Sequence, residues 1–94
     1  MTDKEFDIIG HSLGINVYHA RNSKKKKDKK LPKKYYRNYY QAGEGHHSWD
    51  ELLHLHKVGV MSRREQFGQP VFHVTEEGKE RFKYKWIAEI ELQK

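Results

Sequence analysis

The stretch Ser48–Gly78, SWDELLHLHKVGVMSRREQFGQPVFHVTEEG, changes its hydrophobic period twice. At about 100° per residue, Trp49, Leu52, Leu53 and Leu55 share one arc of a helix, with Asp50, Glu51, His54 and Lys57 opposite. Ser48 and Glu51 have capping-box spacing, and Gly59 is placed to stop the helix with a positive φ. Val60 to Gln66 then reads as a strand, Phe67 to Pro70 as a turn, and Val71 to Val74 as the returning strand of a hairpin. Thr75 is a good N-cap, and Glu76 and Glu77 suit the positive end of a helix dipole, so a last helix starts there. Gly78 falls in its first turn, where alanine is expected to be neutral or stabilising, whereas Gly59→Ala is expected to destabilise by about 1 kcal/mol or more. Residues 83–92 fit two templates. Phe82, Trp86 and Ile90 recur at helical spacing, but Tyr84, Trp86, Ala88, Ile90 and Leu92 alternate as a half-buried strand would, and by count the strand is narrowly favoured.

Working back towards the N-terminus, the run AGEGHH, Ala42 to His47, breaks the chain. Before it, Pro32 suits the first turn of a helix, and Tyr36, Tyr39 and Tyr40 at i, i+3 and i+4 predict a short helix with one inward aromatic face, leaving Tyr35 exposed. At the start of the chain Thr2 and Glu5 form a second capping-box pair ahead of Phe6, Ile9 and Leu13. Gly14 can end that helix, and Ile15 and Val17 alternate as a short strand.

Charge is concentrated in one place. Ten of the 19 lysines and arginines lie in Arg21–Arg37, RNSKKKKDKKLPKKYYR, with a single acidic residue, Asp28. The remaining nine basic and twelve acidic residues give the rest of the chain a net charge of -3. A mildly acidic body therefore carries one lysine-rich segment, and residues 21–34 are expected to be a flexible basic loop because like charges oppose helix and offer little apolar surface to bury. Deleting Asn22 to Lys30 is expected to leave the melting temperature nearly unchanged.

With 94 residues, 35% of them hydrophobic, and a mean hydropathy of -1.10, the chain is expected to form one domain over residues 1–94 around one small core. The absence of cysteine removes disulfides, thiolate metal sites and cysteine nucleophiles. An acidic start, MTDKEFD, and the lack of a long apolar run point to a cytoplasmic protein without membrane contact.

The element order, with LLHLHKVGVM followed by VFHVTEEGK, resembles the recognition-helix end and wing of a winged helix-turn-helix domain. The expected fold class is therefore α+β: a small winged helix-turn-helix-like domain of three to four short helices plus a β-hairpin, with a disordered lysine-rich loop. Across most of the chain, HSLG, YRNYYQAGEGHH, LLHLHKVGVM and PVFHVTEEGK resemble a family of small proteins encoded by tailed phages and prophages. That resemblance implies a phage-type domain, working in the host cytoplasm, and carries over no catalytic residue. Against the family pattern, residues 22–34 look like an insertion.

The functional expectation follows from the charge. Lys24, Lys25, Lys26, Lys27, Lys29, Lys30, Lys33, Lys34 and Arg37 are the candidate phosphate contacts, joined by Arg63 and Arg64 on the hairpin. The expected partner is DNA or RNA, bound weakly and without sequence preference. Base reading by the third helix is disfavoured because Asp50 and Glu51 stand where arginine, asparagine or glutamine is needed. The alternative is a protein-interaction module docking on a host or phage protein. Tyr35, Tyr36, Tyr39 and Tyr40 beside Lys34 and Arg37 have the mix that stacks single-stranded bases, but helical spacing assigns most of them to the core. No metal is expected: His46, His47, His54 and His56 have no i, i+4 pair, and His56 lies in the apolar arc as a hydrogen-bonded core residue. No cofactor is expected, and no phosphate loop or nucleophile beside a base marks an enzyme.

Overall fold

Thr2 opens the first helix as its spacing predicts. Its hydroxyl accepts the Glu5 N–H, while Glu5 Oε1 accepts the Thr2 N–H at 2.8 Å, and α1 runs over Asp3–Ser12. The structure, a computed structural model, describes residues 1–92. It is a small α+β domain whose further elements are α2 (Val17–Asn22), β1 (Tyr40–Gln41), α3 (Trp49–Lys57), β2 (Met61–Gln66), β3 (Gln69–Val74) and α4 (Glu76–Trp86). The strands form one antiparallel sheet in the order β1-β3-β2, with Tyr40 opposite Phe72 and Met61 opposite Val74. Among the described residues no helix is long and apolar enough to cross a membrane.

Helices α1 and α4 pack against β3, and α3 packs against β2. Phe6, Ile9 and Leu13 of α1 and its end, Leu52 and Leu55 of α3, Phe72 of β3, and Phe82 and Trp86 of α4 are all within 1% of complete burial. Phe6 and Phe82 pack with ring centroids 4.8 Å apart, and Trp86 joins Phe82 at 5.8 Å. Each such side chain stabilises the domain by about 1.5–3 kcal/mol relative to exposure, so this cluster dominates the fold.

Four expectations about elements are overturned. Ile15 to Val17 does not form a strand: the Asn16 side chain accepts the His19 N–H and caps α2, which buries Val17 and Ala20 at i and i+3. Residues 32–40 do not form a helix, because their polar groups serve distant elements. Arg37 Nε and Nη2 donate to His11 O at 3.1 and 2.6 Å, Tyr39 N–H donates to Ser12 O, and the Asn38 amide exchanges two hydrogen bonds with the Val74 backbone. The free carbonyls at the end of α1 and the edge of β3 are thereby satisfied. Consequently Tyr35 is half-buried against the core while Tyr36 is 78% and Tyr39 50% exposed, the reverse of the helical assignment. Ser48 precedes α3 but makes no side-chain cap; its hydroxyl accepts from Tyr40 and its N–H donates to His46 Nδ1. Finally, residues 83–91 are helical, α4 passing into a π-helical turn over Ile87–Glu91. Phe82, Trp86 and Ile90 are buried, whereas Tyr84 and Leu92 are each 69% exposed, so only the helical period matches burial.

The hairpin and the caps around it form as expected, except that the turn takes only Phe67 and Gly68 where Phe67 to Pro70 was expected, Gln69 and Pro70 being already paired in β3, and with one further exception. Gly59 has φ +82° after α3, and Thr75 Oγ1 accepts the Gly78 N–H while donating to Gly59 O. Phe67 (φ +52°) and Gly68 (φ +77°) make a two-residue turn between the paired Gln66 and Gln69. Positive φ at both positions is the signature of a type I′ turn. The further exception is Gly78. A β-carbon there would overlap Val60 O and lie 2.9 Å from Val74 Cγ1, so this glycine lets α4 press against the hairpin and is not replaceable by alanine at no cost.

Candidate functional site

Asp28, the single acid of the lysine segment, organises it. Its carboxylate accepts from Ser23 Oγ at 2.6 Å, a bond that, aided by His19, Lys25 and Lys27, holds its pKa below the usual carboxylate value. Lys26–Lys29 forms a 3-10 turn. Lys29 Nζ donates to Ala20 O at 2.9 Å, closing the C-terminus of α2, and the Trp86 indole N–H donates to Lys29 O at 2.8 Å. Leu31 packs on the core beyond it. The expected disordered loop thus has a defined path: self-repulsion is offset by one internal carboxylate and by two ties to buried elements.

The candidate residues separate accordingly. Lys24, Lys25, Lys26, Lys27, Lys30, Lys33 and Lys34 are exposed and make no ion pair among the described residues. Lys29 is half-buried and Arg37 is committed to His11 O. Arg63 lies over the Trp49 ring at 5.3 Å and pairs with Glu65, while Arg64 stands exposed. Lys33 lines two neighbouring clefts around half-buried Tyr35, whose hydroxyl pKa is raised by burial. One cleft also takes in Lys34 and Lys79, whose ammonium pairs with Glu76, and the other Lys30, Lys83 and the carboxylate-bearing Glu91, so α4 and the turn after it add charge of both signs beside the lysines. Arg63 and Arg64 line neither cleft.

Lys79 and Lys83 were missed in the sequence because they lie far along the chain; their i, i+4 spacing is the only local signal. The surface of α3 differs. Glu51 pairs with Lys4 at 2.7 Å, and Asp50 remains exposed near the start of α3. His56 is exposed, with Nδ1 3.2 Å from Met61 O, and is not in the core. The position at the arc's edge puts its ring outward over the start of β2. His46 and His47 stack at 4.2 Å, and His54 Nδ1 meets the buried Glu5 carboxylate. Among the described residues no group of three histidine or acidic side chains could hold a metal ion. Chemically, the lysine surface offers flexible point charges suited to phosphate oxygens. Comparison with protein-family models, curated proteins and solved structures finds no match.

Proposed function

We propose that the protein is a small, non-catalytic accessory protein of phage type that binds nucleic acid weakly and without sequence preference through its lysine segment, in the host cytoplasm. The observation that carries this reading is the set of seven exposed lysines without ion pairs among the described residues, in a segment tied to the body at Lys29. A tethered cationic surface loses less conformational entropy on binding than a free arm does. The scaffold is read as winged-helix-like: α3 directly precedes the β2–β3 hairpin, and β1 completes the sheet beside β3. It departs from a helix-turn-helix in that a strand and a turn, not a helix, precede α3. Asp50 makes the α3 face a poor phosphate surface.

Gel-shift titrations on duplex and single-stranded DNA across salt test this. With four to six lysines engaged, log K should fall with log salt at a slope of about -4 to -5 on duplex DNA. Replacing Lys24 to Lys27 with serine should flatten the slope, and Asp50→Ala should tighten binding slightly. Tight, salt-resistant binding of one sequence that survives the serine replacements would overturn the proposal. The second reading, docking on a host or phage protein, is favoured by one observation: Phe67 is 97% exposed at the hairpin tip. No DNA or RNA binding even at low salt would select it.

A further inference from the structure

Tyr18 and Tyr36 are both 78% exposed and line a common cleft of about 470 Å³ with Asp7, His11, Gly14 and Arg37. We propose that this cleft is a stacking site for a base of single-stranded nucleic acid, an inference that rests on the lysine segment binding the phosphates. The Tyr36 ring is packed in place, and the backbone that carries Tyr18 is fixed. Tyr18 stands on α2, held by the Asn16 cap, with its own carbonyl accepting from Asn22 Nδ2 at 2.8 Å. Tyr36 lies against Gly14, where a β-carbon would come 2.9 Å from Tyr36 Oη. Gly14, at φ +80°, therefore serves both to end α1 and to let the ring settle on backbone. Arg37, clamped on His11 O, is 5.9 Å from the Tyr36 ring centroid and 5.7 Å from that of half-exposed Tyr39.

The chemistry of the cleft selects a base over a phosphate. Asp7 is exposed and makes no ion pair or hydrogen bond among the described residues. Its carboxylate would repel a phosphate but can accept from the amino or imino N–H of a base edge. Burial and then the Arg37 charge lower the His11 pKa, so His11 holds a proton less readily than a free imidazole. Aromatic walls, one acceptor edge and one rigid guanidinium are the parts of a stacking platform. The walls are also the two ends of the lysine segment: Tyr18 lies six residues before Lys24, and Tyr36 two after Lys34. Arg37 also lines the cleft of Lys33, Lys34 and Lys79, so the tyrosine cleft adjoins the lysine surface that takes the phosphates. Bases in a duplex are already stacked and paired, which excludes them from the tyrosine cleft.

Fluorescence anisotropy with a labelled single strand, and with an abasic strand of equal length, separates the two contributions. The base-bearing strand should bind roughly tenfold more tightly than the abasic one, within the range expected of aromatic stacking. Tyr18→Ala and Tyr36→Leu should each shrink that ratio and leave the salt slope unchanged. Serine at Lys24 to Lys27 should flatten the slope for both strands and leave the ratio. Tyr84→Ala, at an exposed ring on α4 outside the cleft, should change neither, and circular dichroism confirms that each variant is folded. Equal binding of the two strands with a lysine-dependent slope would overturn the cleft alone. Failure of both strands to bind would overturn the cleft and the lysine reading together.

Discussion

Gly78 and Gly59 exchange the importance that their sequence positions imply. Gly59 needs only its positive φ, and the nearest atom to an added β-carbon is the mobile Glu77 carboxylate at 3.5 Å. Gly78 faces the Val60 backbone, which cannot move without opening the hairpin. Gly59→Ala should therefore cost about 1 kcal/mol, and Gly78→Ala about 2–3 kcal/mol through overpacking; urea denaturation of the two variants checks the order. Glu5 is the second residue to test. It is 4% exposed, and although burial pushes its carboxyl up, the Thr2 N–H and His54 hold the pKa below the ordinary glutamate value. A folded-state pKa below the unfolded one means stability that is present above the ordinary glutamate range and lost as pH falls through the folded value. Glu5→Gln should cost about 2 kcal/mol at neutral pH, the worth of hydrogen bonds to a charged group. In acid the gap to the wild type should close, as read by urea midpoints at the two pH values.

At the scale of elements, the hairpin carries a removable strain. Phe67 occupies the first central position of a type I′ turn at φ +52° while burying almost nothing, and a bulky residue there is an outlier. Phe67→Asn should raise stability by about 1 kcal/mol, seen as a higher thermal midpoint. Helix α1, the start of α4 and the hairpin strands were legible in the sequence because their caps and periods are local; α3 was legible from its period and Gly59 although the Ser48 cap does not form, and beyond Phe82 the alternation along α4 favoured a strand. α2 was legible too, in Asn16 followed by Val17 and Ala20, but the alternation of Ile15 and Val17 suggested a strand. Residues 32–40 were not legible. Arg37 and Asn38 bond to partners 26 and 36 residues away, and such long-range satisfaction overrides the tyrosine spacing that mimics a helix. The same divide holds for the candidate site. The exposure of Lys24 to Lys27 follows from composition, whereas the inward turn of Lys29 and the approach of Lys79 and Lys83 depend on where α4 packs.

The whole molecule is closed by a bond between its halves, Trp86 Nε1 to Lys29 O, across 57 residues. Deleting Asn22 to Lys30 is accordingly expected to lower the melting temperature, contrary to the reading of the segment as a free loop. Trp86→Phe should cost about 2 kcal/mol by leaving a carbonyl unpaired and a gap beside Phe82. It should also speed tryptic cleavage within Lys24–Lys30 relative to the wild type. The tie bears on time as well as on energy. The β2–β3 hairpin pairs neighbours in the chain and can form early, while the Trp86 bond must await closure of a long loop whose entropy is unfavourable until the core is assembled. Interactions absent from the transition state act on the unfolding rate and leave the folding rate alone. In stopped-flow chevrons Trp86→Phe should therefore raise the unfolding limb and leave the folding limb in place. The indole anchoring the lysine segment would then govern how long a folded molecule survives, not how quickly one forms.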